Sequence, residues 1–365
     1  MHVTVEREQL IQELELLTRV STKHITLPIL QCVYIEVTAK NLVIKATNLE
    51  IGVEVTLPAK TEEEGMLAVP ATTLMQTINL STEKEVTLKT EGDVLIVDGK
   101  SSQTSIKTFA VDEFPKIPKV SGSEQKIQGT LFAHGIKTAA FAASQSSIKP
   151  ELGSVYVFQK KEHTLTFVAT DSFRLMEKTV SQKGVVMDEG ILIPQKNALE
   201  LARICETKDT DPILRVSDNQ CALEYEDGLY VTSRLTSGSF PDYNAIIPKE
   251  YVTNATLLKN DLTHAFKKTS IFLNKFFQVS LNISSGTVTV SATSGDVGTT
   301  TESVSAATEG EDLILNFNQR YVNESLGHMG EDSIVLKCAG IGRPMVIEGV
   351  GGDGTLRYLV MPMNK

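Results

Sequence analysis

The sequence predicts an α+β protein that contains three tandem copies of one unit, each with two helices packed on antiparallel strands. One observation behind this prediction is a repeated dipeptide. Ala-Thr closes a strand-like run at Ala46, Ala169 and Ala292, and both intervals between these positions are 123 residues. A fixed spacing of this length is typical of internal duplication rather than of chance.

A second and unrelated marker gives the same spacing. An apolar run leads into a helix-like segment at Val69, Ile193 and Phe317, and both intervals are 124 residues. Length supports the same division, because 365 residues exceed what one ordinary core accommodates. We therefore predict three domains, with bounds at 1–120, 121–248 and 249–365.

The elements of each copy follow from the period of its apolar residues. Apolar residues spaced by three and four predict an opening helix in each copy, at 7–20, 131–144 and 258–273. Alternating residues predict strands that include 33–39, 165–170 and 286–293. A second helix follows the second marker, and Pro70 and Pro194 lie near the starts of two of these helices, where a missing N–H costs little.

Composition limits the class of protein. Apolar residues make up 41% and charged residues 22% of the chain, which is typical of a soluble globular protein. The apolar runs are too short to span a membrane, and the N-terminus has no secretory signal pattern. Four widely separated cysteines predict reduced, buried thiols in the cytoplasm and no zinc site. We expect no cofactor.

The stretch "VATDSFRL" (168–175) could be catalytic or could be a turn. If Asp171 were a catalytic residue shared by the repeats, its counterparts would not be Asn48 and Ser294. All three are small polar residues that can accept hydrogen bonds from their own backbone in a turn. The second copy alone adds "SFRL", and this difference is where we expect its special function.

The chain resembles the bacterial sliding clamps, the beta subunits of the DNA polymerase III holoenzyme. The matching motifs occur in the family's order and extend over the whole chain: "TVEREQL" (4–10), "TLPIL" (26–30), "VATDSFRL" (168–175), "FPDYNAIIP" (240–248), "FNQRYV" (317–322) and "YLVMPM" (358–363). The resemblance implies three tandem copies of the DNA-clamp fold in a head-to-tail homodimeric ring. It also implies a non-catalytic processivity factor that encircles duplex DNA and tethers its partners.

The resemblance implies a dimer interface between the first and third copies. Tandem sheet-bearing repeats leave a free strand edge at each end, and ring closure removes both edges. We expect the edge of the first copy at 102–111, with Ile106 and Thr108 on one face. The partner surface of the third copy is expected near Ile271 and Phe272.

A net charge of −10 does not exclude DNA binding if the cations lie on one surface. The opening helices of the second and third copies are rich in lysine, and their matching positions in the repeat favour a common role. Loose phosphate contacts of this kind would be independent of DNA sequence and sensitive to salt. The predicted DNA-binding residues are Lys23, His24, Lys137, Lys149, Lys196, Lys259, Lys267 and Lys268.

The resemblance further implies a cleft for partner peptides between the second and third copies. Its partners would be the polymerase catalytic subunit, the clamp loader and other proteins with a clamp-binding motif. Carried over by position, the cleft residues are Leu152, Thr170, Ser172, Phe173, Arg174, Leu175, Pro241, Ile246, Tyr321, Pro344, Met345, Leu359, Val360, Met361, Pro362 and Met363. A structural ion pair is the alternative role for Arg174.

Two other functions compete with this one. An enzyme could assemble His163, Asp171, Ser172 and Arg174 into a hydrolytic site, but the chain has no G-x-S-x-G, H-E-x-x-H or Walker sequence. The glycine-rich "GVGGDGTL" (349–356) is interpreted as a hairpin tip. An adaptor built from the same repeats would bind proteins without encircling DNA.

Overall fold

The computed structural model describes residues 1–21, 27–99, 103–352 and 355–363. Its contacts divide the chain into two compact units, unit 1 (Met1–Ala133 and Glu200–Leu235) and unit 2 (His134–Leu199 and Thr236–Lys365). The α-helices are α1 (Arg7–Val20), α2 (Ala71–Leu80), α3 (Gly129–Ala140), α4 (Gln195–Thr207), α5 (Lys259–Thr269) and α6 (Gln319–Leu326). Within these described ranges, four short 3₁₀ helices lie at Pro28–Gln31, Val111–Glu113, Tyr243–Ile246 and Ser270–Phe272.

The described residues form 25 strands. In the first third of the chain they are β1 (His2–Glu6), β2 (Cys32–Val37), β3 (Asn41–Thr47), β4 (Ile51–Pro58), β5 (Lys60–Glu63), β6 (Gly65–Pro70), β7 (Glu85–Glu91), β8 (Val94–Asp98) and β9 (Gln103–Lys107). In the middle they are β10 (Ser123–Lys126), β11 (Ser154–Phe158), β12 (Thr164–Thr170), β13 (Arg174–Ser181), β14 (Ile191–Pro194), β15 (Ile213–Val216), β16 (Gln220–Glu224) and β17 (Leu229–Arg234). The last are β18 (Thr253–Leu258), β19 (Gln278–Ser284), β20 (Thr287–Ser294), β21 (Gly298–Gly310), β22 (Leu313–Asn318), β23 (Ser333–Cys338), β24 (Met345–Gly349) and β25 (Leu356–Val360).

The predicted helices are present, with differences at their ends. α1 covers 7–20 as predicted, and its leucines at 10, 14 and 17 are buried where it packs against α2, β3 and β4. α3 begins two residues before the predicted helix and ends four residues before its predicted end. The third predicted helix ends at Thr269 and continues as the 3₁₀ helix Ser270–Phe272.

Each Ala-Thr marker lies at or near the end of the first strand of an antiparallel hairpin. The hairpins are β3–β4, β12–β13 and β20–β21, so the repeated sequence corresponds to a repeated structural element. The "GVGGDGTL" segment joins the antiparallel strands β24 and β25, and the prediction of a hairpin there is confirmed. Asp353 and Gly354 lie outside the described residues.

Unit 1 contains a five-stranded sheet and an eight-stranded sheet. Their strand orders are β5-β1-β7-β8-β9 and β10-β15-β16-β17-β4-β3-β2-β6. The contact between β17 and β4 joins strands of the second and first sequence copies, with Val231 opposite Val53. This boundary between copies is therefore bridged by a continuous sheet.

Unit 2 contains a twelve-stranded arrangement with the order β14-β11-β12-β13-β25-β24-β23-β18-β21-β20-β19-β22. Here β13 of the second copy pairs with β25 of the third, with Leu175 opposite Leu359. The last strand of the chain is thus built into a sheet with the second copy. This pairing places the "SFRL" turn beside the end of the chain.

The four cysteines are buried and unpaired, as predicted. Burial raises the pKa of Cys32, Cys221 and Cys338 to about 12. Among the residues that the structure describes, no three potential metal ligands lie together. None of the described helices is both long and apolar enough to cross a bilayer.

Candidate functional site

The turn between β12 and β13 is held by its own side chains. Thr170 Oγ1 donates to the backbone oxygen of Arg174 at 2.6 Å, and Asp171 Oδ1 accepts from the backbone N–H groups of Phe173 at 2.9 Å and Arg174 at 3.0 Å. The corresponding turn of the first copy has the same bonds. Thr47 Oγ1 donates to the backbone oxygen of Ile51, and Asn48 Oδ1 accepts from the backbone N–H groups of Glu50 and Ile51. The primary role of Asp171 is therefore structural, as the repeat predicted.

What distinguishes the second copy is Arg174, which the first copy replaces with Ile51. Its guanidinium donates to Asp171 Oδ2 at 3.0 Å, to the backbone oxygen of Phe141 at 3.0 Å, and to the carboxylate of Glu324. The side chain is only 11% exposed. Arg174 thus joins the β12–β13 turn to the end of α3 and to α6.

Two aromatic rings enclose this guanidinium. Its central carbon lies 5.4 Å from the ring centre of Phe141 and 4.5 Å from that of Tyr321. Close packing of α3 on β12 helps to bring Phe141 here, because an added Cβ at Gly135 would lie 2.3 Å from the ring of Phe167. Arg174 thus makes the ion pairs, with Asp171 and Glu324, on which its alternative structural role depends.

The end of the chain continues past β25 and is anchored at both sides. The backbone N–H of Met361 donates to the oxygen of Phe173 at 2.8 Å, and that of Met363 donates to the oxygen of Asn316 at 2.7 Å. These bonds hold the segment 361–363 between the β12–β13 turn and β22. Asn364 and Lys365 lie outside the described residues.

A pocket of about 500 Å³ opens beside this segment. Its volume is within the range of sites that hold small ligands or peptide side chains. Five predicted cleft residues line it together: Phe173, Tyr321, Met361, Pro362 and Met363. Four lining residues were not predicted: Lys275, Phe276, Phe277 and Asn318.

The unpredicted residues lie mostly in the loop between the 3₁₀ helix Ser270–Phe272 and β19. Asn274 Oδ1 accepts from the backbone N–H groups of Phe276 at 2.9 Å and Gln278 at 3.2 Å, which makes the loop compact. Phe277 has a φ of 55°, and its oxygen accepts from Gln319 N at 2.8 Å. A short loop without a periodic pattern gives no sequence signal for these contacts.

The other predicted cleft residues do not line the pocket. Six are at most 6% exposed and belong to the protein interior: Leu152, Thr170, Leu175, Met345, Leu359 and Val360. Leu175 and Leu359 form one buried cluster with Tyr243, against which Met361 packs. Arg174 and Pro344 are half-buried, whereas Ser172, Pro241 and Ile246 are exposed.

The linker that precedes the third copy, residues 240–248, is held in place by Tyr243. This residue was not identified from the sequence. Its hydroxyl donates to Glu177 Oε2 at 2.5 Å, and Phe240 stacks on Tyr156 with ring centres 5.0 Å apart. Burial, aided by the Glu177 carboxylate, raises the pKa of Tyr243, so that its hydroxyl stays protonated and can donate. The linker is thereby held against the buried cluster.

Six of the predicted DNA-binding residues lie in unit 2. Lys137, Lys149, Lys196, Lys267 and Lys268 are exposed, whereas Lys259 is half-buried. Lys259 donates to the oxygen of Met329 at 2.7 Å, and Lys268 pairs with Glu302 at 2.8 Å. Lys23 and His24 lie outside the described residues.

The predicted interface residues lie at or beside strand edges. In unit 1, β9 is the last strand of its sheet, but Ile106 is 5% exposed and faces the interior, and Thr108 bonds to Asp93. In unit 2, residues 298–305 of β21 pair with β20 on one side, while β18 pairs only with 306–310. Ile271, which is 68% exposed, and the half-buried Phe272 lie on the neighbouring 3₁₀ helix.

The residues of the alternative hydrolytic site are separated. His163 precedes β12 and Asp171 follows it, so an extended strand with a rise of about 3.3 Å per residue places them roughly 25 Å apart along the sheet. Asp171 and Arg174 are also bonded to each other. This geometry argues against a shared active site.

Comparison with known proteins places the chain in a family. Three family models of the DNA polymerase III beta subunit match it, the N-terminal domain at 1–118, the central domain at 126–242 and the C-terminal domain at 244–364. Beta sliding clamps of Pseudomonas putida and Staphylococcus aureus are 27% and 25% identical, and each alignment includes all of this chain and at least 99% of the relative.

Solved structures agree with the family models. A DNA polymerase III beta subunit from Pseudomonas aeruginosa superposes with a TM-score of 0.94 at 25% identity, over the full length of both chains. The beta subunit from Thermotoga maritima, at 24% identity and a TM-score of 0.93, has the same fold. The chain therefore belongs to the family of bacterial DNA polymerase III beta subunits, the beta sliding clamps.

Proposed function

We propose that the chain pairs head-to-tail with a second copy to form a ring that encircles duplex DNA without sequence specificity. The ring tethers the polymerase catalytic subunit and other replication and repair factors, and so makes synthesis processive. The clamp loader would use the same partner site. The proposal includes three clamp domains at 1–120, 121–248 and 249–365, a cytoplasmic location and no catalytic step.

The observation that carries the proposal is the pocket beside segment 361–363. Its lining combines Phe173 of the second copy with Tyr321 and the chain end of the third, and it is mostly apolar. Methionine and aromatic side chains make adaptable surfaces for short peptides. The buried layer of Leu175 and Leu359 supports this surface from behind.

The open strand edges support the ring. Among the described strands, none pairs with residues 298–305 on the side away from β20. A Cβ added at Gly298 would lie 4.0 Å from the Phe272 ring, so this edge is next to the 3₁₀ helix Ser270–Phe272. β9 offers a second edge through its backbone and its exposed residues Gln103, Ser105 and Lys107. Two such contacts per dimer close the assembly without leaving a free edge.

Exposed lysines support the contact with DNA. Lys267 and Lys268 lie near the end of α5, on the face opposite its buried residues Leu262 and Phe266. Flexible ammonium groups suit phosphate contacts that carry no sequence information. Negative charge elsewhere on the protein would limit other, unspecific contacts with DNA.

Loading on plasmids of different topology tests the proposal. With a clamp loader and ATP, the protein should remain on a nicked circular plasmid and slide off the same plasmid after linearisation. Gel filtration of the two reactions measures the retained fraction. Equal loss from both plasmids would contradict encirclement and would favour an adaptor that binds proteins alone.

A further inference from the structure

A second pocket, of about 520 Å³, opens in unit 1 between the strands β6, β2 and β3 and the linker segment 111–117. Its lining includes Tyr34, Lys45, Met66, Phe114 and Ile117. None of its described lining residues belongs to the pocket beside segment 361–363. It is therefore a separate site, to which the proposed function gives no role.

The linker wall of this pocket is held on both sides. The backbone N–H of Phe109 donates to a backbone oxygen of β6 at 2.8 Å, and that of Val120 donates to the hydroxyl of Tyr230 at 2.7 Å. Between these two anchors, Phe114 lies against Tyr34 with ring centres 5.4 Å apart. The walls are thus in place before a ligand arrives.

Strand register shows what occupies the equivalent place in the second copy. In unit 1, Tyr34 is opposite Lys45, which is opposite Glu54 on the next strand. The equivalent row in unit 2 consists of Tyr156, Val168 and Glu177. Both Val168 and Glu177 follow their counterparts by 123 residues, which is the interval of the repeat.

The linkers that cross these two rows differ in length. The first is "FPKIP" (114–118) and the second is "FPDYNAIIP" (240–248), which has four more residues between its Phe-Pro and Ile-Pro pairs. This longer stretch forms the 3₁₀ helix Tyr243–Ile246. The first linker has no counterpart of Tyr243.

In unit 2 the equivalent place is filled by Tyr243. This residue is 5% exposed, belongs to the same buried cluster as Val168 and donates its hydroxyl to Glu177. Three residues that pack against the cluster correspond to lining residues of the pocket in unit 1: Tyr156 to Tyr34, Phe240 to Phe114 and Ile247 to Ile117. The pocket in unit 1 is therefore the place of Tyr243 without the tyrosine.

The chief chemical difference between the two places is Lys45, which replaces Val168. Its ammonium lies 3.5 Å from Glu54, 3.6 Å from Glu36 and 5.5 Å from the ring centre of Tyr34. Both carboxylate distances are long for a hydrogen bond, and an ammonium has three donors. Lys45 can therefore donate to an acceptor that enters the pocket.

We propose that this pocket is a second docking site and receives a tyrosine side chain from a segment of a partner protein, in the place that Tyr243 fills in unit 2. The ring packs between Tyr34, Phe114 and Ile117, and its hydroxyl accepts from Lys45. This inference goes beyond the proposed function, because it uses no part of the pocket beside segment 361–363.

NMR of the methionine methyl groups in the full-length protein tests the proposal. Met66 lines this pocket and is 56% exposed, whereas Met361 and Met363 line the other pocket, so each pocket has its own probe. The ligand is the peptide Asp-Tyr-Asn-Ala from the second linker, acetylated and amidated, with matched peptides that carry Phe or Ala in place of Tyr.

We expect the Tyr peptide to shift the Met66 signal and the Ala peptide to leave it unchanged. The Tyr peptide should bind about three- to tenfold more tightly than the Phe peptide, as one additional hydrogen bond would give. Titration of the Met66 shift measures both affinities.

Variants of the full chain identify the residues. Lys45→Met should remove the preference for Tyr over Phe. Lys40→Met is the matched control, because it removes the same charge at an exposed position between β2 and β3 and should keep the preference. Replacing 114–118 by the sequence of 240–248 should supply the tyrosine from the chain itself and block the peptide.

Three results would overturn the proposal. One is a Met66 signal that does not respond to the Tyr peptide, or that responds only to the concentration of the protein, which would assign the pocket to a contact between copies. Another is a preference for Tyr that is absent or that persists in Lys45→Met. The third is loss of the Met66 shift in Met363→Ala, which would show that the peptide acts through the other pocket.

Discussion

The guanidinium of Arg174 donates to the carboxylate of Glu324 and so joins the β12–β13 turn of the second sequence copy to α6 of the third. The same group donates to Asp171 and to the backbone of Phe141, each at 3.0 Å. These three guanidinium donors are thus directed at the chain itself. Arg174 holds the elements that carry Phe173 and Tyr321, and it shapes the pocket from behind.

Removing Arg174 should therefore cost stability as well as peptide affinity. Arg174→Ala leaves Asp171 with a poorly solvated charge, and we expect the free energy of unfolding to fall by about 3 kcal/mol. Glu324→Gln should cost about 1 kcal/mol or less, because Glu324 is 49% exposed and water screens its charge. Denaturant unfolding measures both, and the double variant gives the coupling between the two residues. Additive effects would show that the ion pair contributes nothing.

The chain end should be essential for peptide binding. Deleting 361–365 removes three lining residues and two backbone hydrogen bonds, and we expect calorimetry to show no binding of a polymerase-derived peptide. Met363→Ala should weaken the peptide by about 1–3 kcal/mol without a matching loss of stability. Leu175→Ala should instead lower the stability of the fold. Its side chain is fully buried, so the free energy of unfolding should fall by about 2–5 kcal/mol. Wild-type affinity of the deletion would place the partner site elsewhere.

The dimer should depend on the 3₁₀ helix Ser270–Phe272. Replacing Ile271 and Phe272 together by Glu should give monomers, since burying unpaired charge costs several kcal/mol. Ile271 is 68% exposed in the single chain, so the variant should fold normally. Light scattering gives the mass, and a double substitution by Glu at exposed Lys161 and Lys183 serves as a control for added negative charge. An unchanged dimer would contradict this interface.

The affinity for DNA should depend less strongly on salt when exposed lysines are removed. Changing Lys149, Lys267 and Lys268 to Ala should lower the slope of log affinity against log salt by about one unit per lost phosphate contact. The loss should be the same for DNA of different sequences. Fluorescence anisotropy over a salt series measures the slope. An unchanged slope would show that these lysines do not face DNA.

Acid should destabilise unit 2 through His328. This ring stacks on Phe141 with centres 4.4 Å apart, and burial lowers its pKa below the ordinary 6.5. The folded state then binds its proton at lower pH than the unfolded chain, so the stability from the neutral ring is lost as pH falls below about 6.5. His328→Phe keeps a stacked ring that does not titrate and should reduce this loss.

The control for the pH experiment is His264→Gln, because His264 is exposed on α5. Its thermal midpoint should follow that of the wild type between pH 7.5 and pH 5.5. Differential scanning calorimetry at the two pH values gives the comparison. Equal acid sensitivity of wild type and His328→Phe would assign the effect to another group.

The sequence by itself determined the elements and their repetition. The spacing of Ala46, Ala169 and Ala292 identified three equivalent hairpins, and the leucine pattern of 7–20 identified α1. These are local signals, because the period of burial and the chemistry of a turn depend on neighbours in the chain. For the same reason the structural role of Asp171 could be inferred from its counterparts.

The tertiary structure decided which of these elements form the site. Only the pairing of β13 with β25 places Phe173 beside Met361, and the two lie 188 positions apart in sequence. The resemblance supplied the neighbourhood of the cleft, but it did not separate the buried Leu175 from the exposed lining, and it missed Lys275. A residue in an irregular loop has no periodic pattern to reveal its direction, so its contact with the pocket is fixed only when distant strands pair and the loop folds against them.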